Sequence, residues 1–274
     1  MSGRQRNWEA LSFQIAMTAI AVLALILIVS PSLVVVIVSF TSGFSLKFPP
    51  PGYSTRWYVE LWNAWQLQFA ARNSVVVAMW STALSIVLGV AAALAISRSK
   101  ALTAKLLDSL FMSPLVLPAL AFGLAALMFF SLIGLPISLL TLVIGHTIVC
   151  VPFVIRMVGA AVQQLDPVLV TCSLSLGASR WYTFRRITLP LIRRGIVAGG
   201  LVAFLSSFDN VPVSLFLADA RTEVLPIKLW AILEGSLDVR VAAVSGVIVV
   251  LTLIGLVCAE TLGGLSRSFG KSSS

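Results

Sequence analysis

The sequence predicts an all-α integral membrane protein with six transmembrane helices, and three observations predict it. Of 274 residues, 59% are apolar and 11% charged, where a soluble domain carries roughly 25% charged residues. Mean hydropathy is +1.03, and a globule of this size would still need a polar exterior, so only lipid accounts for the composition. The apolar residues gather into runs near 13–40, 73–97, 110–133, 138–158, 196–217 and 241–262, each able to cross about 30 Å of hydrocarbon. The 19 Lys and Arg against 10 Asp and Glu fall between those runs, which reads as orientation signalling and excludes a nucleic-acid patch.

The first run is too long for a cleavable signal and has no small-residue cleavage site, so it reads as a retained anchor, with Pro31 inside it. With the N-terminus in the cytoplasm, 13 of the basic residues lie on inner segments and 6 on outer ones, which places both termini inside. Outer segment 41–72 combines a Pro49-Pro50-Pro51-Gly52 turn with Trp57, Tyr58, Trp62 and Trp65, aromatic residues suited to interface anchoring. Outer segment 218–240 carries an apolar stretch, Ile227 to Leu233, that suits a short interfacial helix. Gly195, Gly199 and Gly200 open the fifth run and permit close helix approach. The chain divides into 1–68 (tail, first helix, outer loop), 69–262 (transmembrane domain) and the tail 263–274.

The inner stretch 159–194 is about 36 residues, far more than the two to eight that join bundled helices. Asp166 can cap a helix whose first position is Pro167, and Gly177 supplies a left-handed stop. Ser179 can cap a second helix through Trp181, Phe184 and Ile187 until Pro190 interrupts it, with Arg185 and Arg186 on its polar side. Helix physics alone also accommodates an amphipathic hairpin lying on the inner leaflet.

Gly177, nine residues, Ile187, one residue, Leu189 and Pro190 reproduce the G-x9-I-x-LP signature, and here the chain resembles the permease subunits of ABC importers. The resemblance implies the type I permease fold, in which this loop forms coupling helices that enter a cleft on a separate ATP-hydrolysing subunit. Carried onto this sequence, the coupling residues are Asp166, Thr171, Gly177, Ala178, Ile187, Leu189 and Pro190. Thr171-Cys172-Ser173 stands where the family usually has Glu-Ala-Ala, so the usual acidic residue is missing. Asn73-Ser74, Ser113-Pro114, Leu117-Pro118, Pro152 with Arg156, and Ser207-Phe208-Asp209 followed by Val213-Ser214 and Phe216 are similar to the spermidine/putrescine type. The partners this implies are a second permease, as a heterodimer, two ATP-binding subunits and an external solute-binding protein, in the inner membrane of a bacterium.

Within the spans, Asp209 is the sharpest candidate for contact with solute, because a buried charge at mid-membrane costs about 2.5–3.5 kcal/mol and must face protein or water. Pro212 frees carbonyls near Asp209 and Asn210; the alternative is that Asp209 bonds a neighbouring helix. His146, the only histidine, lies at a similar depth of about 12 Å, so it can pair with Asp209 or bond a backbone carbonyl. Trp80 and Phe208 offer cation–π faces or plain packing.

Nothing supports catalysis on this chain. One histidine excludes HExxH, no GxSxG occurs, and Gly264 with Gly270-Lys271-Ser272 departs from phosphate-loop spacing. Cys150, Cys172 and Cys258 make no metal or disulfide pattern. The expectation is a permease that imports a small organic solute, a polyamine-like cation, with no metal and no cofactor of its own. The alternative is an ion- or proton-coupled secondary transporter using Asp209 and His146 as a relay.

Overall fold

The structure is a computed structural model that describes residues 2–235 and 238–263, with side chains described over 11–235 and 238–258 and at 261. The two final glycines and Lys271 weighed as a phosphate loop lie outside the described residues. Twelve helices account for nearly all of the described residues. Five helical stretches are long and apolar enough to cross a membrane, or six if one bent helix pair counts as a single span. The chain divides into two compact units, one of residues 1–64 and 232–252, the other of 65–231 and 253–274.

In the first unit, α1 (Ser2–Ser39) runs through Pro31 as one helix. Its apolar side chains from Leu11 to Ile28 are exposed, as a lipid-facing helix requires. The segment after it folds back on itself through a bridge between Thr41 and Tyr53, and α2 (Arg56–Asn63) follows. Trp57 was expected at the membrane interface and is instead buried against Val239 and Ala243. Its indole N–H donates to the Thr41 carbonyl at 2.9 Å, and a ring with its polar end satisfied belongs in a core. Tyr58 is tied to Ser39, hydroxyl to hydroxyl, at 2.7 Å. Trp62 stays exposed, as does Trp65, the first residue of the second unit.

The second unit is organised around three packed helices, α3 (Trp65–Arg98), α6 (Leu139–Gln163) and α9 (Leu189–Phe208). Small residues set their separation. A Cβ at Gly195 would come within 2.7 Å of the Met157 carbonyl, and one at Gly89 within 2.7 Å of Val154, so both backbones approach where no side chain fits. Buried hydroxyls cross the same contacts: Ser81 donates to the Val143 carbonyl and Ser85 to that of Thr147. In lipid such bonds satisfy groups that water cannot reach.

Two spans and the inner loop differ from the sequence reading. The third, expected as one helix over 110–133, is α4 (Ala101–Val116) and α5 (Ala119–Leu132), bent by 101°. Pro118 forces Leu117 to an extended ψ of 143° and offers no N–H, which ends α4 there. The fifth, expected as continuous over 196–217, breaks at Asp209–Asn210, beyond which lies the short α10 (Val211–Leu217). Pro212 sits in the first turn of α10, where a missing N–H costs nothing. The inner loop is also shorter than expected, because α6 continues to Gln163 and α9 starts at Leu189.

The elbow between them is α7 (Pro167–Ser175) and α8 (Arg180–Thr183). Pro190 does not interrupt the second helix. A π turn over Phe184–Thr188 joins α8 to α9, with the Leu189 N–H reaching the Phe184 carbonyl. The proline ring would crowd the carbonyl four residues earlier, and one wider turn makes room for it. The result is a single rod from Arg180 to Phe208. After α10, α11 (Leu225–Gly235) follows in the outer stretch expected to be helical, and α12 (Val239–Gly263) is the last span.

Candidate functional site

Two sites stand at opposite ends of that rod. At one end the elbow is held by local bonds. The Asp166 carboxylate accepts from the Val168 N–H at 2.9 Å, and Gly177 takes φ +84°. The N–H groups of Leu176, Gly177 and Ala178 close α7 onto the carbonyls of Cys172, Leu174 and Ser173, which satisfies the helix end. The Ser179 hydroxyl accepts from the Tyr182 N–H at 3.2 Å. Sequence reasoning missed the tie between the two helices: the Ser173 and Thr183 hydroxyls meet at 2.9 Å, both buried. Only the three-dimensional turn at Gly177 brings them together, so no local pattern announces them.

The elbow displays apolar surface. Val168, Leu169, Leu174, Leu176 and Trp181 are exposed, Leu176 at 88%, and an exposed apolar cluster marks an interaction surface. Ile187 and Leu189 are half-buried and Pro190 is exposed at the π turn. Thr171 bonds the Pro167 carbonyl at 3.0 Å and helps line an open cleft of about 890 Å³. Arg98, Asp108 and Arg156 line the same cleft, with Arg156 and Asp108 paired at 3.3 Å.

At the other end, α9 stops at Phe208 and the chain turns through Asp209 and Asn210. Asn210 caps α10 by accepting from the Val213 N–H at 3.1 Å. The Asp209 carboxylate is exposed and has no ion pair or side-chain hydrogen bond among the described residues. Phe208 stacks on Phe204 at 6.1 Å. Trp80 is exposed on α3, and no ring contact among the described residues joins it to Phe208. His146 is 1% exposed. Its ring nitrogens meet the hydroxyls of Ser207 at 2.9 Å and Ser214 at 3.1 Å. Both nitrogens are thereby occupied by serines and not by Asp209. Among the described residues no cluster of three or more His, Cys, Asp or Glu could hold a metal.

The sequence model for binding-protein-dependent transport system inner membrane components matches residues 85–263. The chain belongs to that family. This permease is 27% identical over 233 residues to the spermidine/putrescine transport system permease protein PotC of Escherichia coli (strain K12), covering 85% of this chain and 88% of PotC. It is 34% identical over 169 residues to a probable molybdenum ABC transporter permease of Haloferax volcanii, covering 59% of this chain and 62% of that one. In fold it is similar to a solved bacterial ABC transporter involved in import of the acidic polysaccharide alginate, with TM-score 0.70 and 16% identity over 97% of this chain and all of that one. The chain is the permease subunit of an ABC importer, an inner membrane component and a transport subunit rather than an enzyme. That family membership decides against the ion-coupled secondary transporter.

Proposed function

We propose that this permease carries a small organic cation of polyamine type inward, with Asp209 as its attracting group. One observation carries the reading: an exposed, unpaired carboxylate stands at the C-terminal end of α9, inside an otherwise apolar segment. A helix C-terminus carries partial negative charge, so carboxylate and helix end favour a cation together and offer oxygen atoms in place of lost hydration. Phe208 adds an aromatic face beside it, Asn210 shapes the turn, Trp80 offers a further aromatic face, and the buried His146 bears on the pathway only through Ser207 and Ser214. PotC, named for spermidine and putrescine, supports the same solute class. Oxyanion uptake is the second reading, favoured by the molybdenum relative.

The elbow, through Asp166, Thr171, Gly177, Ala178, Ile187, Leu189 and Pro190, is the grip for ATP-binding subunits, and its exposed apolar cluster supports this. The assembly pairs this chain with a second, different permease, two ATP-binding subunits and an external solute-binding protein. Both termini face the cytoplasm, as the 13 to 6 division of basic residues supports. The chain needs no cofactor of its own.

The test is uptake of radiolabelled spermidine by cells making the whole transporter, with putrescine and molybdate as competitors. Asp209→Asn is expected to raise the KM for spermidine. Competition by molybdate with none by putrescine would overturn the cation reading.

A further inference from the structure

The only histidine of the chain lies inside the packed helices, on α6, with both ring nitrogens engaged by side chains from either side of one backbone break. Ser207 closes the last turn of α9 and Ser214 lies in the middle of α10. Between them are Asp209 and Asn210, where the helix is interrupted. We propose that His146 is a positioning residue, a two-ended strap that fixes α10 against α9 and thereby sets where the Asp209 carboxylate stands.

Imidazole suits this task because it presents two in-plane polar atoms, one donor and one acceptor when neutral. Each serine hydroxyl can donate or accept, so either tautomer satisfies both contacts. A ring bonded at both nitrogens is cheap to keep in a dry interior, whereas losing it leaves two buried hydroxyls without partners. The neighbouring residue makes the fit tight. A Cβ at Gly145 would fall 2.6 Å from Leu217 and 3.1 Å from Val213, so α10 is pressed onto α6 at the level of the strap. Nothing else among the described side-chain hydrogen bonds joins α6 to α10; the remaining hold on α10 is the apolar packing of Val213 and Leu217, which is less directional than a hydrogen bond.

The importance of Asp209 for solute rests on the function proposed above, and the experiment separates the two. In the assembled transporter, with the exposed Cys172 and Cys258 replaced by serine, spin labels are placed at Leu191 and Leu215, both exposed. The distance distribution between them is measured in phosphatidylethanolamine and phosphatidylglycerol nanodiscs, alongside spermidine uptake kinetics in cells. His146→Ala is expected to broaden the distribution and to raise the KM by about tenfold as the Asp209 carboxylate loses its fixed position. His146→Gln, which keeps a donor and an acceptor, is expected to restore both readouts to within about threefold. Ser214→Ala removes one end only and serves where His146→Ala fails to fold; it is expected to broaden the distribution less. An unchanged distribution in His146→Ala and Ser214→Ala, or a glutamine variant no better than alanine, overturns the strap. A broadened distribution with the spermidine KM unchanged in both His146→Ala and Asp209→Asn upholds the strap and overturns the role given to Asp209.

Discussion

Gly177 is where a single methyl group tests the elbow most directly. Its φ of +84° is reached by an L residue only at a cost, and an added Cβ would meet no atom within 4 Å. The penalty for Gly177→Ala is therefore all backbone, about 1–2 kcal/mol, with no packing term to confuse it. That energy acts on the turn that ties α7 to α8, so the local opening constant should rise by about 5- to 30-fold. The Ala178 N–H, which donates to the Ser173 carbonyl at 3.2 Å, reports the opening through its hydrogen-exchange rate under conditions where exchange follows the opening equilibrium. Gly177→Asn, which tolerates the left-handed region better than alanine, should exchange at a rate between glycine and alanine. Transport should fall in the same order while the amount of protein in the membrane stays constant. Equal exchange rates for the glycine, asparagine and alanine forms would refute the claim that this turn is held at a left-handed residue.

Gly195→Val should disrupt the packing of α9 on α6, because the new Cβ begins 2.7 Å from a carbonyl oxygen; a loss of about 1–3 kcal/mol is read as a lower melting temperature of the purified transporter. Thr171→Glu places a carboxylate in the cleft lined by Arg98 and Arg156 and should preserve or strengthen association with the ATP-binding subunits, measured by co-purification. Asp219→Ala removes the acceptor of the Arg221 and Thr222 N–H groups and the Thr222 hydroxyl and should speed exchange at the Thr222 amide. The hydroxyl of Thr222 chiefly holds the Asp219 carboxyl below its usual 3.8. The ionised form is thus the one the fold favours, and its support is complete above 3.8 and lost as pH falls through the lower folded value. Wild-type exchange at Thr222, corrected for its intrinsic pH dependence, should rise over that acid range and stay flat in the alanine variant.

What could be read from the chain was what short-range chemistry controls. Asp166 before Pro167, Gly177 ten residues on, and Ser179 mark their helix ends through bonds made within a few residues, so their pattern survives in one dimension. Span existence was legible for the same reason, since hydrocarbon thickness imposes a length. The bend at Pro118 was not, although Pro118 was visible, and at Asp209 the disturbance by Pro212 was legible while the full break of the helix was not. A proline removes one N–H, and whether the helix kinks, stops or absorbs it depends on neighbours that sequence does not order. Pro31, Pro114 and Pro152 lie inside helices, and Pro190 follows a π turn. His146 shows the same limit at the site: its depth could be counted, but its partners are serines 61 and 68 residues away, which no local pattern brings to it.

The two sites share one helix, and this has a mechanical consequence. From Arg180 to Phe208 the rod is 29 residues, about 43 Å at 1.5 Å per residue. A tilt of about 5° around its middle would move each end by roughly 2 Å, enough to break a hydrogen bond at 2.9 Å. The strap from His146 lies at the far end and the Ser173–Thr183 tie at the near one, so the ends are held while the middle is packed against α6 through glycines. The π turn is the weak point between tie and strap, because Pro190 offers no N–H to the carbonyls before it. Force applied at the elbow would reach the Asp209 break only as far as that turn stays intact. Pro190→Ala returns the missing donor and should stiffen the joint, shifting solute moved per ATP hydrolysed while leaving spermidine KM unchanged. A changed KM with constant coupling would place the compliant joint elsewhere in the rod.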